Sequence, residues 1–201
     1  DFSMKIFGLL GNKVSSCNIL KERICLFISV YIDKFLTLSI TNDFFIQICE
    51  FLFFNIFNAE KPIAKYESFE AVKNILTSLS ELKIQNNITP LITKYIHQFI
   101  SYTKEAKTPL YFDILNEICS SITNEENMLQ LVQILFSRIL TEISPRRLSH
   151  SSKNEMEIER SLSSQYKVII NKCFYVLRAI FNNSSFIIKY FSRIEEMINP
   201  L

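Results

Sequence analysis

Apolar residues recur at intervals of three and four along almost the whole chain, and few residues interrupt that rhythm. Such intervals put side chains on one face of an α-helix, whereas strands need alternation. Gly occurs twice and Pro five times in 201 residues, too few for the many turns of a β-sandwich or barrel. With 48% hydrophobic and 21% charged residues, the chain has enough apolar surface to fold around a core. The fold class expected is therefore all-α.

The rhythm predicts eight helical segments. The first, about 18–38, carries Leu20, Ile24, Phe27 and Tyr31 on one face. The second, about 43–57, is rich in Phe. The third, about 65–83, has Phe69, Val72, Leu76 and Leu79. The fourth, about 89–104, follows Ile88 and carries Ile92, Tyr95, Phe99 and Tyr102. The fifth, about 109–122, has Tyr111, Ile114, Leu115 and Ile118. The sixth, about 125–143, has Met128, Val132, Leu135 and Ile139. The seventh, about 157–181, has Leu162, Tyr166, Ile169, Cys173, Leu177 and Ile180. The eighth, about 185–198, has Ile187, Tyr190, Ile194 and Met197. The local punctuation agrees. Thr89-Pro90 and Thr108-Pro109 place a hydroxyl ahead of Pro at a helix start, and "TNEEN" (Thr123 to Asn127) sets a capping side chain before two acids. Pro62 and Pro145 are expected in connections.

The Phe-rich stretch "FFIQICEFLFFNIF" (Phe44 to Phe57) raises the question of a membrane span. A span needs roughly 20 apolar residues, but Asn42 and Asp43 precede this run, Glu50 lies near its middle, and Asn58, Glu60 and Lys61 follow. A central carboxylate costs a few kcal/mol in lipid. A helix buried between several neighbours is the simpler reading.

The segments fall into pairs, about 18–58, 65–104, 109–143 and 157–198, whose starts near 18, 65, 108 and 157 are about 43 to 49 residues apart. A two-helix unit at a period of ~40–47 residues is that of HEAT repeats, whose single pairs cannot cover their own apolar surface and therefore stack. The expected architecture is a HEAT-like α-solenoid of about four antiparallel helix pairs, a single segment over 1–201. A compact helical bundle is the alternative arrangement. "SPRRLSHSSKNEMEIE" breaks the pattern, and 144–156 is expected to be a flexible loop. The chain does not begin with Met and stops after "MINPL", so it is expected to be an excerpt of something longer.

Residues that would carry chemistry are sparse. "GLLG" (Gly8 to Gly11) lacks the Lys of a phosphate loop, and His97 and His150 have no partner at catalytic or ligand spacing. Glu125-Glu126 and Glu195-Glu196 are neighbours that point apart on a helix. Cys17, Cys25, Cys49, Cys119 and Cys173 are scattered and read as buried, reduced thiols. No enzyme activity, metal or cofactor is expected. The formal net charge of +2, with both signs interspersed, argues against nucleic acid as a partner. "RRLS" (Arg146 to Ser149) fits a basophilic kinase pattern, making Ser149 a candidate phosphorylation site.

What remains is surface. If the second helix of each pair lines a concave face, the candidate partner-binding residues lie opposite the apolar stripes. They are Lys94, His97, Gln98 and Ser101, then Gln130, Gln133 and Arg138, then Lys189 and Arg193.

Several runs resemble the large importin-β-type karyopherins. "LKERICLFISVYIDKF" (Leu20 to Phe35) is similar to a family helix reading roughly Leu-x-x-Arg-x-Cys-Trp-x-Leu, with Leu26 where that family has Trp. "AKYESFEAVKNILTSL" (Ala64 to Leu79), with its Glu70-Ala71 pair, resembles the next repeat, and "ITPLITKYIHQFI" (Ile88 to Ile100) resembles its partner helix. "CFYVLRAIFNN" (Cys173 to Asn183) followed by "FIIKYFSRIEEMINPL" is similar to a later repeat. The nearest branch is that of importins seven and eight. The resemblance implies a segment of the HEAT-repeat arch of a nuclear transport receptor, shuttling between cytoplasm and nucleus. Cargo proteins would be its partners, with the GTPase Ran and nucleoporins engaged through the full-length chain. It implies no Ran-contact residue in this segment. A HEAT-repeat scaffold without a transport role is the alternative function.

Overall fold

The structure, a computed structural model, describes residues 23–31, 42–81, 88–143 and 153–199, the side chains of 42–45, 78–81, 143 and 153–166 excepted. The described residues form eight α-helices, α1 over 23–31, α2 Asn42–Asn58, α3 Pro62–Glu81, α4 Thr89–Thr103, α5 Pro109–Ile118, α6 Glu125–Ile143, α7 Lys153–Phe181 and α8 Ser184–Ile198. No strand occurs among them. The all-helical expectation holds. The backbone divides into two compact units, Asp1–Leu91 and Ile92–Leu201.

Several boundaries differ from the sequence reading. Pro62 is the first residue of α3, not part of a connection. Pro suits that place because the first N–H of a helix has no intrahelical partner. Thr108 occupies the N-cap of α5 with extended backbone, φ −93° and ψ 120°, but its side chain makes no capping hydrogen bond. Pro109 alone presets that start. α5 ends at Ile118 and tightens into a 3-10 turn, Cys119–Ser121. Ser120 Oγ donates to the Glu117 carbonyl at 3.4 Å, the kind of local bond that competes with a continuing helix. α7 starts at Lys153, so 153–156 are helical and not loop. That run contains no Gly or Pro to delay the helix. The rest of the expected loop, with Pro145, Arg146, Arg147, Ser149 and His150, lies outside the described residues, as do Gly8 to Gly11, Cys17 and Leu20.

Asn side chains set two of the starts. The N–H of Asn127 donates to Asn124 Oδ1 at 3.1 Å ahead of α6, with Glu125 and Glu126 in its first turn. The N–H of Phe186 donates to Asn183 Oδ1 at 3.2 Å ahead of α8.

In the first unit, α2 packs along α3. Ile48, Cys49, Leu52, Phe53 and Ile56 of the Phe-rich helix are buried, while Phe54 remains exposed. Among the described residues no helix is long and apolar enough to cross a membrane. On α3 the expected Phe69, Val72 and Leu76 are buried, joined by Ala71 and Ile75. α1 turns a different face inward from the one expected. Cys25 and Ile28 are buried, whereas Phe27 and Tyr31 are exposed, their rings tilted against each other at 4.9 Å between centroids. A buried polar cluster selects that face. Asn55 Nδ2 of α2 donates to Cys25 Sγ at 3.7 Å and Ser68 Oγ of α3 donates to it at 3.2 Å. Ser29 Oγ adds a bond to Glu67 at 3.0 Å.

In the second unit, α5 packs on α7, and α6 packs on both α7 and α8. All four expected core residues of α5 are buried, as are Met128, Val132, Leu135 and Ile139 of α6. On α7 Ile169, Cys173, Leu177 and Ile180 are buried, with Val176 beside them. α8 buries Phe186 and Ile194, and the expected Ile187, Tyr190 and Met197 are only half-buried. Phe186 is also the residue whose N–H the Asn183 cap holds. Tyr111 anchors the join of α5 to α4. Its ring stacks with Phe99 at 6.2 Å and meets Tyr102 edge-on at 5.0 Å. Its buried hydroxyl donates to the Phe99 carbonyl. Thr103 Oγ1 lies 2.9 Å from the same carbonyl and 2.8 Å from the Tyr111 hydroxyl.

Candidate functional site

α6 exposes a row of polar side chains. Gln130, Gln133, Ser137 and Thr141 stand three and four residues apart and so share one helix face. That row and the turn between α4 and α5, which supplies Lys104, Glu105 and Lys107, line a groove of about 590 Å³. Ile134 gives it an apolar floor and is 8% exposed.

Arg138 fixes the position of the turn against α6. Its Nη1 donates to the carbonyls of Thr103 at 3.2 Å and Lys104 at 2.7 Å, and its Nη2 donates to Ala106 at 2.8 Å. Its Nε lies 3.3 Å from Glu142 on the next turn of α6. The last carbonyls of α4 lack intrahelical partners and carry the negative end of the helix dipole, so a guanidinium is the natural cap. The planar fork spreads its donors over two nitrogens, Nη1 for Thr103 and Lys104 and Nη2 for Ala106, whereas an ammonium has all its donors on one nitrogen. With Arg138 and Glu142 paired to each other, the charges on the groove without an ion-pair partner among the described residues are the ammonium groups of Lys104 and Lys107 and the carboxylate of Glu105.

Of the candidate residues, Gln130, Gln133 and Arg138 come together on this groove. Gln130 and Gln133 are exposed, whereas the Arg138 side chain is 11% exposed and committed to backbone. Lys94, His97, Gln98 and Ser101 form an exposed row along α4 and do not line the groove. The Lys94 ammonium sits 5.6 Å from the centroid of the Tyr95 ring. Lys189 of α8 pairs with Glu125 at the start of α6, and the Tyr190 hydroxyl donates to the same carboxylate at 3.1 Å. Those two bonds hold the Glu125 carboxyl below the usual carboxylate range. Arg193 is exposed and apart from the groove. Ser149 lies outside the described residues.

Lys104 and Lys107 were not among the sequence candidates. Their signal was the short "KEAK" turn, Lys104 to Lys107, between the fourth and fifth predicted helices. Turns at the same end of neighbouring helices gather on one rim.

The arrangement offers hydrogen bonds and charge. Carboxamides at Gln130 and Gln133 present both donors and acceptors, which match the N–H and C=O groups of an extended chain. Among the described residues no group of three or more His, Cys, Asp or Glu side chains is placed to hold a metal ion. Cys25, Cys49, Cys119 and Cys173 are buried and unbridged. Burial pushes the Cys119 and Cys173 thiols up to about 12, the opposite of what a thiolate nucleophile needs.

Compared with protein-family models, curated proteins and solved structures, the chain gives no match.

Proposed function

We propose that the chain is a HEAT-like helical scaffold that binds a protein partner along the groove of α6. The packing of some helices on the next but one supports this reading. α5 lies on α7 and α6 on α8. Within the first unit α1 reaches α3 through Cys25 and Ser68. Stacked antiparallel pairs make those contacts, because first helices meet first helices and second helices meet second helices. In the second unit the polar side of α6 is turned outward, and the groove lies on it.

The occupant is an extended, acidic segment of a partner. Gln130 and Gln133 pair with its backbone, and Lys104 and Lys107 attract its carboxylates. The narrower form of the proposal is a nuclear transport receptor, for which the karyopherin-like runs speak. Cargo would then be the occupant.

The test compares proteins retained by the wild-type chain with those retained by a Lys104→Glu, Gln130→Ala, Gln133→Ala variant of equal thermal stability. Loss of the same partners on changing these exposed residues supports the groove. Identical partner sets from both proteins sink it. Binding of Ran-GTP or Phe-Gly repeats by the full-length protein separates transport from other scaffolding.

A further inference from the structure

The second unit has a second feature that the polar groove does not use. A hollow of about 470 Å³ opens beside the C-terminal turns of α7, walled by Phe136, Phe174, Leu177, Phe181 and Ile198 with Arg178 at its margin. Phe174 and Arg178 also line an adjoining hollow of about 350 Å³. The floor is built and not incidental, since Leu177 and Phe136 are buried and the Phe136 and Phe181 rings lie 6.4 Å apart. The walls are open, with Phe174 48% and Ile198 43% exposed.

Ile198 belongs to a longer stripe. Ile188, Phe191, Glu195 and Ile198 stand at intervals of three and four on α8 and share one face. Ile188 is 79% and Phe191 58% exposed. Single exposed apolar residues are ordinary, but a stripe continuous with an apolar hollow marks an interaction surface.

The charges on this surface identify what covers it. Arg178 beside the hollow and Glu195 within the stripe are exposed, and neither side chain has an ion-pair partner among the described residues. The hollow calls for an apolar helix face carrying a carboxylate. The stripe of α8 is such a face. We propose that a second copy of this chain covers it, with α8 of each copy laid along the α7 hollow of the other. A two-fold pairing makes one surface contact itself, so Arg178 of each copy meets Glu195 of its partner, and both unpaired charges are matched by one symmetry operation. The polar groove of α6 takes no part in this contact, so the proposal stands independently of the partner-binding reading.

Sedimentation velocity of the full chain from micromolar to hundred-micromolar concentration tests it. A reversible dimer is expected, weakened about tenfold or more by Phe191→Asp. Arg178→Glu and Glu195→Arg each weaken it, and the two together restore it. All these side chains are exposed, and circular dichroism verifies that each variant keeps its helices. A chain monomeric throughout overturns the proposal. So does a dimer indifferent to these changes, or a charge-swapped double variant no better than the singles.

Discussion

The guanidinium of Arg138 holds the carbonyl of Ala106 at 2.8 Å across 32 residues of sequence, and the same side chain holds Thr103 and Lys104. One side chain thus closes the end of α4 and sets the rim of the groove. Charge-assisted bonds of this kind contribute about 1.5–3 kcal/mol each, less the cost of burying the guanidinium. Arg138→Ala should therefore lower stability by about 2–3 kcal/mol, read as a shift of the urea midpoint at constant m-value. Arg138→Lys should recover less than half of that loss, because one nitrogen cannot stand in the places of Nη1, Nη2 and Nε at once. Full recovery by Lys would show that charge alone matters and the fork does not.

Tyr111 gives a second test. Its ring is fully buried and its hydroxyl serves the Phe99 carbonyl. Tyr111→Phe keeps the ring packing and removes only the hydroxyl. A loss of about 1–2 kcal/mol is expected, since the Thr103 hydroxyl can still satisfy the same carbonyl from 2.9 Å. Combining it with Thr103→Val should cost more than the sum of the single changes, because the carbonyl is then buried with neither hydroxyl to serve it. Strict additivity in thermal denaturation would mean that the two hydroxyls do not share the carbonyl.

Helices with one clear apolar stripe were legible from sequence. α7 carries Ile169, Cys173, Leu177 and Ile180 at regular spacing, and all four are buried. α1 was not legible, because Ile24, Cys25, Leu26, Phe27, Ile28, Val30 and Tyr31 make it apolar nearly all round. Periodicity cannot choose a face there; the polar groups of Asn55 and Ser68 do. The groove was half legible. The helical face of Gln130 and Gln133 follows from spacing alone. The reach of Arg138 to a turn more than 30 residues away has no local signature.

Alkaline pH should unfold the protein in a predictable window. Burial pushes the Cys119 and Cys173 thiols up from 9.0 to about 12, with Arg138 partly opposing the shift at Cys173. Cys49 and Tyr111 move the same way, also through burial. Above about pH 9 the unfolded chain releases thiol protons that the folded chain keeps, so the unfolded state binds fewer protons and stability falls as pH rises towards 12. Each such thiol contributes a loss of about 1.4 kcal/mol per pH unit in that range. Urea midpoints should therefore be level between about pH 7 and 8 and drop steeply by about pH 10. A level midpoint across the whole range would contradict the burial of these thiols.

The polar cluster of the first unit supplies the last test. Cys25 receives a hydrogen bond from Asn55 of α2 and another from Ser68 of α3, and all three residues are buried. Cys25→Ala removes the sulfur from both donors. Ser68 keeps an alternative, because its hydroxyl also donates to the Ala64 carbonyl at 2.7 Å. Asn55 loses its sulfur acceptor, and a stranded buried amide costs about 1–3 kcal/mol, in addition to the small cavity. Asn55→Leu has no amide to strand, so Cys25→Ala should cost about 1 kcal/mol less in that background than in the wild type. A double-mutant cycle on chemical denaturation measures the difference. An equal cost in both backgrounds would assign the whole effect of Cys25 to packing, and the choice of the buried face of α1 would then rest on Ile28 and the fit of the sulfur.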